Sequence, residues 1–145
     1  MLFRSDRTIA VNLKSCFNYI QPCVTHMRQA GHGRIVSMSS LNAHSGGVTS
    51  AVSKFSYAAA KAGIIGFTRA VSLELKDTGV RINCFGPGAT DTPLWRVGKS
   101  EADVQKLLDA GYVYQPDEFS NVVVWLASDF SAPLNGEFIS RDLHR

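Results

Sequence analysis

Long apolar runs are missing from this 145-residue sequence. None approaches the ~18 residues a membrane-crossing helix needs, so no membrane partner is expected. The opening residues, Met1-Leu2-Phe3-Arg4-Ser5-Asp6-Arg7, hold no apolar stretch of the kind that forms a secretory signal. Cysteine is scarce: Cys16, Cys23 and Cys84 are odd in number and show no CxxC spacing, which predicts reduced thiols in a cytoplasmic protein. Charge of one sign is also scarce. Fifteen Lys and Arg against 12 Asp and Glu leave a net charge of +3, with no long basic run, so no nucleic-acid partner is expected. With 45% hydrophobic and 19% charged residues, the chain can bury a core, which excludes a wholly disordered segment. There is no internal repeat and no low-complexity tract.

What is present alternates between two periodicities. Ile9, Leu13, Phe17, Ile20 and Val24 recur at spacings of three and four, predicting a helix over residues 5–30. Ser5 or Asp6 can cap its start, Gly31-His32-Gly33 closes it, and Pro22 is expected to kink or break it. Residues 34–40 (RIVSMSS) read as a strand and 41–56 as a polar loop. A second helix is predicted over 57–76, with Ser56 before it and Gly79 after it. Residues 80–85 form a second strand that runs into Gly86-Pro87-Gly88. Ser100 with Asp103 matches a capping box for a helix over 101–110. Pro116-Asp117-Glu118 opens another that runs to about residue 128. Residues 137–140 read as a last strand. This alternation predicts an α/β fold with a small parallel sheet covered on both faces and joined by right-handed crossovers.

The local pattern with the most chemistry is Tyr57-Ala-Ala-Ala-Lys61. Residues four apart share a helix face. A free phenol titrates near pH 10. A lysine cation within reach favours phenolate and makes such a pair a proton donor and acceptor for a carbonyl/alcohol couple. A surface pair on a helix is the plain alternative. Ser39 and Ser40 fall at the carboxyl end of the first strand and Gly86-Pro87-Gly88 at that of the second. That is the edge where open α/β sheets bind ligands. A serine hydroxyl there can hydrogen-bond a carbonyl oxygen as charge develops on it, although serines also commonly start loops.

Six segments, in order, make the sequence resemble the short-chain dehydrogenase/reductase family. They are Val11-Asn12-Leu13, the strand ending Ser39-Ser40, Tyr57-Ala-Ala-Ala-Lys61-Ala-Gly63, Val80-Arg-Ile-Asn83, Pro87-Gly88-Ala-Thr90-Asp-Thr92-Pro93, and Trp125-Leu-Ala-Ser-Asp129 followed by Asn135-Gly136. The resemblance implies an oxidoreductase that moves a hydride between a nicotinamide cofactor and a small carbonyl or alcohol substrate. Tyr57 would be the acid/base and would also stand among the cofactor-binding residues. Lys61 would ease ionisation of that phenol and hydrogen-bond the nicotinamide ribose. Ser40 would polarise the substrate carbonyl, and Asn12 would hold a relay water. Pro87, Gly88, Thr90 and Thr92 would meet the nicotinamide end of the cofactor. Ser40 stands seventeen positions before Tyr57 where the family has about a dozen, which implies an insertion within residues 42–55 beside the substrate pocket. Ser45 is the fallback for the serine role.

The family's glycine-rich pyrophosphate turn has no counterpart here, nor do the residues that select NAD or NADP, so either cofactor is implied. The resemblance therefore covers the last three strands of a partial Rossmann-like doubly wound sheet. Residues 1–145 are read as one partial catalytic domain, with the N-terminal dinucleotide-binding half absent. An open apolar edge on the first strand, low stability and little turnover by the isolated chain are expected. Residues 139–145 also depart from the family's Asp-Gly-Gly-like end. The family further implies a homo-oligomer packed through helices 5–30 and 57–76. The competing reading is a truncated, non-catalytic relative that acts as an oligomerisation module. A zinc site from Cys23, His26 and His32 fits no standard spacing. Cys16 and Cys23 share a helix face as packing residues. No GxSxG elbow supports a hydrolase.

Overall fold

A strand covered on both faces must be buried nearly throughout, and Val80–Gly86 (β2) meets that condition, with Arg81 alone half-buried. It is the middle strand of a three-stranded parallel sheet, between Gly33–Met38 (β1) and Phe138–Ser140 (β3). The computed structural model that shows this describes residues 5–46 and 54–140. The register runs from Gly33 opposite Val80 to Met38 opposite Phe85, and from Cys84 opposite Phe138 to Gly86 opposite Ser140. Among the described residues, β1 pairs with β2 alone.

Alternate β2 side chains enter different layers, as the period of two requires. Val80 and Ile82 join Leu75 and the partly buried Ile20, Val24 and Met27, while Cys84 joins Ile64 and Ile65 with Leu13 and Cys16. The partners of β2 here come from one face, from Ser15–Ala30 (α2) and Lys54–Glu74 (α4) together with Leu13 just before α2 and Leu75 just after α4. Phe85 points the other way, to Tyr114, Phe119 and Leu126. The last two belong to Pro116–Leu126 (α7). The α/β class and the parallel, two-faced sheet thus follow the sequence pattern. Each fully buried side chain of this size contributes about 1.5–3 kcal/mol, so these clusters dominate the stability.

Asn83 and Asn135 fasten the short β3. Asn83, buried, donates to Leu134 O at 3.0 Å and accepts from the Glu137 N–H at 3.1 Å. Asn135 Oδ1 accepts from the Ile82 N–H at 3.1 Å. Two of the sequence motifs therefore have a structural purpose.

Several boundaries differ from expectation. Pro22 does not break its helix: α2 runs through it. Proline deprives the carbonyl four residues back of its helix partner, and here Asn18 and Gln21 to Cys23 are exposed, so water can serve that carbonyl. The irregularity lies earlier. Ser5–Ile9 (α1) passes into a π-helical turn over Ala10–Lys14 before α2 begins. Part of the predicted loop is helical. Asn42–Ser45 (α3) forms one turn, and α4 starts at Lys54, which puts Ser56 inside the helix instead of at its cap. Most of the inferred insertion, residues 47–53, lies outside the described residues, as do residues 141–145 of the divergent end. β1 stops at Met38, β3 starts at Phe138 and α4 stops at Glu74.

The three later helices are Pro93–Arg96 (α5), Glu101–Asp109 (α6) and α7. Ser100 caps α6 by accepting from the Asp103 N–H at 3.2 Å, and its hydroxyl donates to the Asp103 carboxylate at 2.6 Å. The acid thus returns to the capping residue. At α7, Glu118 accepts from the Gln115 N–H at 2.7 Å.

Candidate active site

The carboxyl ends of β1 and β2 are tied together by backbone bonds. Ser39 donates its N–H to Phe85 O at 2.7 Å, and Leu41 donates to Pro87 O at 3.0 Å. Across this edge lies the first half of α4. Tyr57 and Lys61 share its face, with the Lys61 ammonium 5.6 Å from the centre of the Tyr57 ring. Lys61 Nζ also donates to Met38 O at 2.9 Å, while Ser39 Oγ donates to the backbone carbonyl of Lys61 at 2.7 Å. Burial holds the Lys61 ammonium below the usual lysine value, opposed by the nearby Cys16 and Cys84 thiols.

Ser40 is buried at the same strand end, and its hydroxyl accepts from the Asn42 N–H at 3.2 Å. That bond starts α3 and leaves the hydroxyl hydrogen for another acceptor. Ser45, the fallback, is exposed in α3.

Asn12 sits at the centre of the π-helical turn. Its side-chain amide donates to Thr8 O at 3.0 Å, a substitute for the regular helix bond that the wider turn displaces. The Asn12 carbonyl receives a thiol contact from Cys16 at 3.7 Å. Leu13 seats this turn against α4, where a side chain at Gly63 would meet Leu13 Cδ2 at 2.8 Å. Cys16, one turn after Asn12, is among the groups whose charge reaches Lys61.

The segment after β2 is held open by local bonds. Thr90 forms an isolated bridge with Tyr114, and its hydroxyl donates to Gly88 O at 3.2 Å. Thr92 caps α5 by accepting from the Trp95 N–H at 3.2 Å. Asp91 and Arg96 form a two-pronged ion pair at 2.6 and 2.7 Å, and the Arg96 guanidinium holds the Asp91 carboxyl below its ordinary value. The structure therefore fastens Lys61 to Met38 and Ser39 with the Tyr57 ring beside its ammonium, and sets residues 87–92 on the adjoining strand end.

A family model described as Enoyl-(Acyl carrier protein) reductase matches residues 4–143. The chain belongs to the short-chain dehydrogenase/reductase family. It is 39% identical over 137 residues to (2S)-[(R)-hydroxy(phenyl)methyl]succinyl-CoA dehydrogenase subunit BbsD of Thauera aromatica, a match over 92% of this chain and 53% of that protein. It is 34% identical to 3-oxoacyl-[acyl-carrier-protein] reductase FabG of Thermotoga maritima, over 94% of this chain and 55% of the relative. Acetoacetyl-CoA reductase of Shinella zoogloeoides is 35% identical over 93% of this chain and 56% of its own length. A crystal structure of a protein from Thermus thermophilus superposes with a TM-score of 0.81 at 27% identity, covering 94% of this chain and 58% of that one. The chain thus spans about half the length of the curated relatives it matches.

Three features of this short-chain dehydrogenase/reductase site were not read from the sequence: the π-helical turn around Asn12, the Ser39 bond to α4, and the approach of two thiols to Lys61. Only the spacing of Cys16 from Asn12, one helical turn, gave any signal. Among the described residues, no cluster could hold a metal ion and no helix is long and apolar enough to cross a membrane.

Burial pushes the Cys84 thiol up to about 11, outweighing the lowering effects of its polar neighbours Thr68 and Ser39 and of the Lys61 charge. At pH 8 Cys84 therefore stays a neutral thiol. A disulfide-exchange reagent at that pH is expected to label exposed Cys23 rapidly and Cys84 only on unfolding. Peptide mapping of the labelled protein checks this, and equal rates at the two sites would contradict it.

Proposed function

We propose that this chain carries the catalytic half of a nicotinamide-dependent oxidoreductase, in which Tyr57 exchanges a proton with a substrate oxygen at the carboxyl edge of the sheet. The observation that carries the reading is the Lys61 ammonium lodged between the Tyr57 ring, at 5.6 Å, and Met38 O, at 2.9 Å. One of its three N–H donors is used on Met38, and two remain for a ribose diol. The fit to the nicotinamide end of NAD or NADP rests on those donors and on residues 87–92 beside them. When bound, such a cofactor supplies or accepts the hydride.

The protein's own groups do the rest. Ser40 donates a hydrogen bond to the substrate carbonyl and fixes its orientation. Tyr57 gives its proton to the oxygen as negative charge develops there, and the Lys61 cation stabilises the phenolate left behind. Asn12, in its widened turn, holds the water through which the proton is replaced. Pro87, Gly88, Thr90 and Thr92 border the ring and its amide. The substrate class is a carbonyl/alcohol couple. Acyl thioesters are favoured, because three relatives are named for CoA or acyl-carrier-protein thioesters. The setting is the cytoplasm.

The test supplies NADH, NADPH or reduced nicotinamide mononucleotide together with acetoacetyl-CoA. The mononucleotide retains only the ring, ribose and phosphate next to the residues named above. Slow oxidation of at least one donor that requires the thioester is expected, in keeping with the little turnover expected of the chain by itself. Folded protein that oxidises none of them, with thioester, ketone or sugar acceptors, would overturn the reading.

Assembly of like subunits through α2 and α4 belongs to the same proposal. It is supported by a groove of about 600 Å³ between these helices, lined by Phe17, Ile20, Val24, Phe67 and Val71. Sedimentation should show an oligomer that Phe17→Glu dissociates, and a monomeric native protein would remove this part.

A further inference from the structure

Lys61 is held at both of its ends by the carboxyl end of β1. Its ammonium donates to Met38 O at 2.9 Å, and its backbone carbonyl accepts from the hydroxyl of Ser39, the residue that follows the strand, at 2.7 Å. Ser39 is 3% exposed, and its own N–H is anchored to Phe85 O at 2.7 Å. The residue is thus fixed to β2 through its backbone and to α4 through its side chain. A carbonyl inside a helix has a second lone pair beyond the one used by the helix ladder, so Ser39 can bind it without disrupting α4. The residue after Ser39 is Ser40, which points at the substrate in the reading above.

We propose that Ser39 is a positioning residue, whose hydroxyl sets the Tyr57–Lys61 turn of α4 at a fixed height above Ser40 by gripping the Lys61 carbonyl. The functional part of this inference rests on the proposed roles of Tyr57, Lys61 and Ser40. The mechanical part does not. The strand end offers α4 an acceptor at Met38 and a donor at Ser39, and the helix offers the matching donor and acceptor from a single residue. Two bonds from one residue to consecutive positions at the strand end restrain both translation and rotation of that turn. Misplacement of reacting groups by about 1 Å can cost ~100-fold in rate, so such a restraint has a use. Ser37 provides the contrast: it is equally buried on the same face, two residues earlier, and its hydroxyl has no partner among the described residues.

The direct readout is the titration of Lys61, followed by NMR of side-chain-labelled lysine, with a blocked lysine peptide in the same buffer as the reference. Tyr57, Cys16 and Cys84 are the titratable groups that face it, so the titration is repeated in Tyr57→Phe, Cys16→Ser and Cys84→Ala backgrounds. In Ser39→Ala the released turn admits water, and the Lys61 midpoint should rise by roughly half a pH unit or more toward the reference. Ser39→Thr, which keeps the hydroxyl, should restore it, and Ser37→Ala should leave it in place. In turnover, Ser39→Ala should lower kcat about five- to tenfold with KM within about twofold. An unchanged Lys61 midpoint in Ser39→Ala, or an equal rise in Ser37→Ala, overturns the proposal. A Lys61 shift as described in a protein that transfers no hydride would leave the restraint standing and remove the oxidoreductase reading.

Discussion

Tyr57→Phe is expected to lower the rate of carbonyl reduction about 1,000-fold, within the range that a positioned general acid contributes. Affinity for the nicotinamide donor should change little. The substitution removes one oxygen and leaves the ring beside the Lys61 ammonium, which keeps its bond to Met38 O. Single-turnover oxidation of the bound donor measures the first quantity and fluorescence titration the second. A joint loss of rate and affinity would instead assign Tyr57 to binding. The pH dependence gives a second view of the pair. Lys61 is a cation whose folded value is lowered by burial, so its charge is complete below that value and is lost as pH rises through it. The alkaline limb of the wild-type rate should therefore begin below 10.5, the ordinary lysine value. A limb that stays at or above 10.5 would show that this ammonium is not required.

Gly79→Ala is expected to be the most damaging single methyl in the fold. Gly79 has φ +78°, and a Cβ there would lie 1.9 Å from the carbonyl oxygen of Gly31. The first fact alone strains an L-residue, and the second demands that the end of α2 move away from the start of β2. Together they should cost about 3 kcal/mol or more, a large part of the 5–15 kcal/mol that stabilises a typical domain. Gly66→Ala is the internal control. Gly66 lies within α4, and a Cβ there would meet nothing within 4 Å. Exchanging a helical glycine for alanine at such a position should stabilise by about 0.5–1 kcal/mol. Urea unfolding midpoints of the two variants should move in opposite directions. Movement of both in one direction would mean that the packing of α2 on β2 is not as described.

How much of this was legible in the sequence depends on the range of the interaction. Ser100, Pro116 and the run of residues 80–86 announced their elements because caps and burial patterns act over a few residues. The Tyr57–Lys61 pair was legible for the same reason, since a spacing of four fixes a shared helix face. Pro22 misled because its effect depends on whether the orphaned carbonyl faces water, which is decided by the packing of α2 and not by the local sequence. The turn Asn42–Ser45 was read as loop from its small polar residues, yet Ser40 nucleates it through its bond to the Asn42 N–H. The π-helical turn at Asn12 leaves no periodic trace over five residues. Ser39 was grouped with Ser40 as a strand-end serine, because its partner lies twenty-two residues away. The local chemistry of the site was readable, whereas the restraints that hold it became visible only in three dimensions.

The central claim is that the edge formed by Tyr57, Lys61 and Ser40 supports transfer of a hydride to a carbonyl carbon. Its most direct test follows the hydrogen itself. The protein is incubated with a reduced nicotinamide donor deuterated at the transferable ring position and with acetoacetyl-CoA, and the hydroxyacyl product is analysed by mass spectrometry and NMR. The account predicts product carrying one deuterium on the new carbinol carbon with the native protein and almost no product with Tyr57→Phe, and it is the yield of labelled product that is compared. Product without the label, or an equal yield of labelled product with Tyr57→Phe, would contradict it.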